Sequence, residues 1–204
     1  GEWHYRNNGT FELGTAEGGR KIFLMGMNYL SECMDSREAL NTYYLKTIHH
    51  EFTHILHQTV EFSTAYQFIT TDYKVDKCFN SEFADFLSRG FITDYAQKNY
   101  HEDFAEMVST YVTSTADEWE ALLKKASYAP VKDKDGNLVY DSNGLVVADT
   151  KTKANGRDLI EQKLSIVRSY MQDQWGIDID ELRASILQRE NDVVNGKVDL
   201  KSLD

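Results

Sequence analysis

The sequence predicts an α+β fold, mostly helical, with a small N-terminal sheet and a β-hairpin insertion. Three observations carry that expectation. The first 30 residues are rich in turn signals around short β-forming runs. Residues 35–126 are dominated by stretches whose apolar side chains recur at helical spacing. Between 128 and 150 two Asp/Asn-Gly turn signals separate short apolar runs. All 204 residues are read as one domain, a length that can bury a sizeable core.

The composition narrows the class. A 41% hydrophobic share with 12% aromatics excludes a disordered chain. The formal net charge is −11 and no stripe of Lys and Arg occurs, which argues against a nucleic-acid partner. No run of 18 apolar residues is present, so no segment reads as a membrane-spanning helix. The first residues, Gly1-Glu2-Trp3-His4-Tyr5, do not form a signal peptide and look like a trimmed boundary. Cys33 and Cys78 read as two small buried residues, with a disulfide left open.

In chain order, Trp3 to Asn28 reads as short strands joined by turns at Asn7-Asn8-Gly9 and Glu17-Gly18-Gly19, followed by Lys21-Ile22-Phe23-Leu24-Met25. These are packing strands or an edge on which an extended chain could pair. From Ser36 to about Tyr66 there is neither Pro nor Gly, which predicts one long helix capped by Asp35 or Ser36. Ser81 to Leu87 predicts a short helix, with Ser81 as cap and Gly90 beyond its end. After Asn99 the positions Phe104, Met107, Val108 and Tyr111 predict a further helix. Another, capped near Ser114-Thr115, runs to about Ala126. Residues 128–150 form the β insertion; its Asp133-Lys134-Asp135-Gly136 segment has too few oxygen ligands for a calcium loop and reads as a plain turn. Two amphipathic helices, about Arg157–Gln174 and Asp178–Asn191, close the chain.

The chemistry concentrates in the long helix. His50, Glu51 and His54 form the pattern H-E-x-x-H, flanked by the apolar Ile48, Phe52, Ile55 and Leu56. Residues four apart on a helix share a face, so the two imidazoles can bind one tetrahedral metal at about 2.0–2.1 Å. Glu51 then stands beside the metal, where it can take a proton from an activated water and deliver it to a leaving group. A two-histidine site needs a third ligand. Glu102 and Glu106 lie four apart on the helix after Asn99, so one can ligate and the other can hydrogen-bond a ligating imidazole. The same acids would also suit an N-terminal turn on macrodipole grounds alone. His57 falls near the face of His50, but three histidines on one helix strain a tetrahedron. Neither a Gly at His57 nor a His at Val60 is present, which excludes the metzincin pattern.

His50-Glu51-Phe52-Thr53-His54, together with Tyr95 to Glu106, resembles the putative zinc-binding metallopeptidase family of outer-membrane lipoproteins, the substrate-import-associated zinc metallohydrolases. The same segments resemble the catalytic domain of anthrax lethal factor. The resemblance covers about Met34 to Val112 with specific motifs and implies a zincin-like domain of the Glu-zincin class. It implies one zinc per chain held by His50, His54 and Glu102, with Glu51 as general base and Glu106 behind a ligating imidazole. Tyr95 falls where the toxin has a tyrosine that can donate to a developing oxyanion. Asp103 replaces an apolar residue of the toxin, which puts Glu102 and Asp103 side by side as candidates; the choice falls on Glu102, because its i, i+4 partner acid is then Glu106. The implied activity is amide hydrolysis of a peptide or protein, with a modified sugar or cell-wall link also open. The implied setting is an exported outer-membrane lipoprotein, held to the membrane through a lipid anchor outside this sequence and linked to a nutrient receptor. The competing readings are a zincin-fold binding component without turnover, against which Glu51 speaks, and a structural lipoprotein with coincidental His and Glu residues.

Overall fold

The computed structural model describes residues 4–5, 11–75 and 77–198. The expected turn at Asn7-Asn8-Gly9 and the position of Trp3 lie outside them. The fold is α+β and mostly helical. Its strands form three two-stranded antiparallel sheets among the described residues: β1 (His4–Tyr5) with β2 (Phe11–Glu12), β3 (Gly14–Glu17) with β4 (Lys21–Leu24), and β5 (Tyr128–Pro130) with β6 (Ala148–Lys153). The helices are α1 (Arg37–Leu40), α2 (Lys46–Thr59), α3 (Tyr100–Thr113), α4 (Ala116–Ala126), α5 (Gly156–Trp175) and α6 (Ile179–Val194).

The β3–β4 hairpin turns on Gly18 and Gly19, whose φ angles of +57° and +64° only glycine adopts cheaply. The Gly19 amide donates to Gln58 Oε1 at 2.7 Å, which ties the turn to the end of α2. At the other end of β3, Gly14 lies against Glu51 and Thr47 on the same helix. The hairpin is thus laid along α2.

The long helix expected over Ser36–Tyr66 is corrected. Ser36 does cap it, accepting from the Ala39 amide, but a π-helical turn at Asn41–Leu45 separates α1 from α2, and α2 ends at Thr59. Neither change has a local sequence signal; packing imposes both. In the π turn, Tyr44 is buried and its hydroxyl donates to the Gly26 carbonyl at 2.7 Å. Beyond Thr59, Val60 turns extended and its carbonyl accepts from Tyr170 on α5. Phe62 then stacks on Phe104 of α3 with ring centroids 3.9 Å apart. A continued helix would carry Phe62 along its own axis, away from that stack. The helix expected at Ser81–Leu87 is two 3₁₀ turns, Ser81–Phe83 and Phe86–Arg89, and Asn80 is the cap of the first. Gly90 closes the second at φ +85°.

The remaining elements agree with their sequence signals. Thr115 and Glu118 make a reciprocal capping box on α4. The insertion is a two-tier hairpin, and in its first turn Asp133 Oδ1 accepts from the amides of Asp135 and Asn137, which commits that oxygen to the loop itself. Cys33 and Cys78 are free and half-buried.

The main core gathers side chains from α2 through α6, with Phe104, Met107 and Val112 of α3 fully enclosed. One polar pair lies inside it. Lys163 of α5 and Asp103 of α3 are both wholly buried, 2.6 Å apart, and Lys163 also donates to the Gly90 carbonyl at 2.7 Å. Tyr73 donates to the same Asp103 oxygen at 3.1 Å. Burial pushes the Asp103 carboxyl up and the Lys163 ammonium down, and their mutual attraction opposes both shifts. Removing one partner leaves the other charged and uncompensated. Lys163→Met is therefore expected to destabilise the fold by about 3–5 kcal/mol in urea denaturation. Adding Asp103→Leu should restore much of the loss, and a single variant as stable as the parent would contradict this account.

Candidate metal centre

The centre is built where α2 and α3 pack together. Lys46–Thr59 contains no Gly or Pro, so its helix is regular and places His50 and His54 one turn apart toward α3. Asn99 starts α3: its side chain accepts from the amides of His101 and Glu102, which sets Glu102 in the first turn. Packing the two helices brings Glu102 Oε2 to 3.2 Å from His50 Nε2 and 3.1 Å from His54 Nε2, while the two imidazole nitrogens stand 3.0 Å apart.

That triangle tests whether the residues fit a metal. A carboxylate only accepts, and two imidazole nitrogens facing each other can share a single proton between them. A cation satisfies all three lone-pair donors together, and a set of two nitrogens and one oxygen suits zinc. The electrostatics agree. Burial alone would lower the His50 pKa, but Glu102 and Glu106 outweigh it and raise it to about 10. Burial would likewise raise Glu102, yet His50, His54 and Lys98 hold its carboxyl far below the usual range. The pocket favours positive charge at the point where the three atoms converge.

A second row of groups holds these side chains. Glu106, buried one turn beyond Glu102, sets Oε1 2.7 Å from His50 Nδ1, an ion-pair distance off the line of an ideal hydrogen bond. Its other oxygen accepts from Thr93 at 2.7 Å and from Lys46 at 3.0 Å. Burial would raise Glu106, but Lys46 and His50 keep it well below the ordinary carboxylate range. On the outer side, Tyr95 donates to Glu102 Oε1 at 3.2 Å. Lys98 donates to that oxygen and to the Tyr95 hydroxyl, both at 2.8 Å. Burial and Glu102 push the Tyr95 phenol up, while Lys98 pulls it down.

Glu51 has a different environment. It is 7% exposed and lies under Gly14 of β3, and burial raises its carboxyl against the lowering pull of His50 and His54. Glu51, the three candidate ligands and Tyr95 all line one cleft of about 770 Å³, a volume suited to a peptide-sized ligand. Phe79 stands on its rim, 65% exposed, the one non-glycine residue with positive φ among the described residues. Its ring stacks on Tyr95 with centroids 5.8 Å apart, and its amide donates to Asp94.

His50, Glu51, His54, Tyr95, Glu102 and Glu106 therefore meet at one place. Asp103 does not: it points into the core, so Glu102 is the acid that faces the histidines. Lys46 and Lys98 had no part in the sequence reading. The signal was present, since Lys46 precedes His50 by four residues and Lys98 precedes Glu102 by four, which puts each on the face it supports. Thr93 and Phe79 carry no such signal. A further group, His57, Glu61 and His101, also brings ligand-type atoms within 4.8 Å of one another at the end of α2.

Residues 1–180 match the family model described as "Putative zinc-binding metallo-peptidase". A solved structure of a putative zinc-binding metallo-peptidase from Bacteroides caccae is similar, at 32% identity and a TM-score of 0.70 over 97% of the chain. The chain spans 65% of that protein's length. No curated protein matches.

The close contact at β3 yields a prediction. A Cβ on Gly14 would stand 2.8 Å from Glu51 Cγ and 2.9 Å from Thr47 Cγ2. Gly14→Val should destabilise the protein by about 1–3 kcal/mol in chemical denaturation, as overpacking does. Wild-type stability in that variant would show that the hairpin does not press on Glu51.

Proposed function

The chain belongs to the putative zinc-binding metallo-peptidase family, and on that premise we propose that it hydrolyses peptide bonds with one zinc per chain held by His50, His54 and Glu102. The observation that carries the reading is the convergence of those three ligand atoms beside a buried Glu51. This is the H-E-x-x-H arrangement with a glutamate from a second helix, the Glu-zincin type.

When bound, zinc supplies Lewis acidity, which polarises a carbonyl and lowers the pKa of water from about 15.7 to about 7. Glu51 takes the proton of the attacking water, and burial suits it to the task by raising its carboxyl toward the working pH. The same carboxyl then hands the proton to the leaving amine. Tyr95 turns its hydroxyl from Glu102 to the oxyanion as charge develops there. Lys98 keeps Glu102 Oε1 occupied when Tyr95 leaves it, so that Oε2 remains the ligating oxygen. Glu106, with Thr93 and Lys46, holds the His50 ring in place. The substrate is an extended peptide: β3 lines the cleft, and among the described residues it pairs with β4 alone, leaving its other edge to an added strand.

The reading extends to location. The motif segments resemble outer-membrane lipoproteins associated with nutrient import, and the location proposed on that resemblance is that of an exported, lipid-anchored protein beside a nutrient receptor. Labelling of the full-length protein with a radioactive fatty acid tests this, and absence of label would reject it.

The test of the activity is a pair of variants on a peptide library. Glu51→Gln should keep about one zinc per chain by elemental analysis, and its cleavage rate should fall by about 10²–10⁴-fold. Glu102→Gln should lose the metal. Cleavage by Glu51→Gln at the parent rate would exclude Glu51 as the base.

A further inference from the structure

His54 Nε2 faces Glu102 and His50, and its other ring nitrogen faces inward. That nitrogen, Nδ1, stands 2.7 Å from Nε2 of His57, three residues on along α2. His57 is 7% exposed and its position is fixed on several sides. Its ring stacks on His101 with centroids 4.7 Å apart and planes 7° from parallel, and it meets Phe62 edge-on at 5.7 Å.

The two imidazoles can share their bond in two directions. If His57 donated, His54 Nδ1 would have to offer its lone pair and Nε2 would carry the proton, which removes Nε2 as a ligand. If His54 donates, its Nε2 lone pair is free and directed at the centre. Only the second direction is compatible with the ligand set.

We propose that His57 is a positioning residue for the metal centre: a neutral imidazole that accepts a hydrogen bond from His54 Nδ1 and so holds His54 in its ligating tautomer and orientation. The inference rests on the proposed zinc site. His50 is backed by an anion, Glu106, which Lys46 and Thr93 hold in turn. His54 is backed by an uncharged acceptor, which orients the ring without adding a further carboxylate to a cleft already lined by Glu12, Glu51, Glu102 and Glu106.

Zinc affinity, measured by competition with a chromophoric chelator, tests the proposal independently of catalysis. His57→Phe keeps a flat ring against His101 and Phe62 but removes the acceptor, and zinc binding should weaken by about 10–100-fold. His57→Gln restores an acceptor oxygen without the ring and should retain most of the parent's affinity. His101→Phe preserves the stack and should leave affinity unchanged. If His57→Phe does not fold, the parent decides: in its zinc form the His54 Nδ1 proton should give a slowly exchanging downfield NMR signal, and rapid exchange with water would overturn the proposal. Unchanged affinity in His57→Phe, or an equal loss in His101→Phe, would overturn it as well. A parent that binds no zinc would instead overturn the function proposed above.

Discussion

The site depends on the rotation of α3 about its own axis, and the buried Asp103–Lys163 pair fixes that rotation. Glu102 and Asp103 are consecutive acids, so a helix that turns one toward α2 must turn the other about 100° away. Asp103 is anchored in the core by Lys163 at 2.6 Å and by Tyr73 at 3.1 Å. With that face pinned, Glu102 is left facing His50 and His54. A buried ion pair contributes little net stability against an apolar replacement, because desolvation offsets the attraction. Its value here is in placement: Asp103 is committed to Lys163 and Tyr73 on the core side of α3, which leaves Glu102 on the side of α2.

Around the centre, three carboxyls are sorted by environment. Glu102 and Glu106 are drawn below the ordinary carboxylate range by histidines and lysines, while burial pushes Glu51 up. Carboxyls whose environments drive them apart take different parts in one reaction. The two depressed acids stay ionised, as a ligand and an imidazole support must, and the raised one is able to carry a proton.

Much of this was legible in the sequence, because the informative relations are local. His50 and His54 are one turn apart, as are Glu102 and Glu106, and helical periodicity fixed those faces. The caps at Ser36, Asn99 and Thr115 are local signals too. The end of α2 was hidden, since Thr59–Phe62 contains no helix breaker and leaves the helix to stack Phe62 on Phe104, a partner 42 residues away. The Glu102/Asp103 ambiguity was closed by Lys163, 60 residues beyond Asp103. His57 was weighed as a ligand; its contact with His54 depends on a ring orientation that spacing alone does not give. Lys98 shows the opposite case, a readable i, i+4 partner that mattered only once Glu102 had a role.

The central claim is that one zinc lies between α2 and α3 on His50, His54 and Glu102. Anomalous diffraction from crystals of the zinc-loaded protein, collected on both sides of the zinc absorption edge, tests it most directly. The account predicts a single strong peak within bonding distance of His50 Nε2, His54 Nε2 and Glu102 Oε2. A peak instead among His57, Glu61 and His101, or no peak in zinc-soaked crystals, would contradict it.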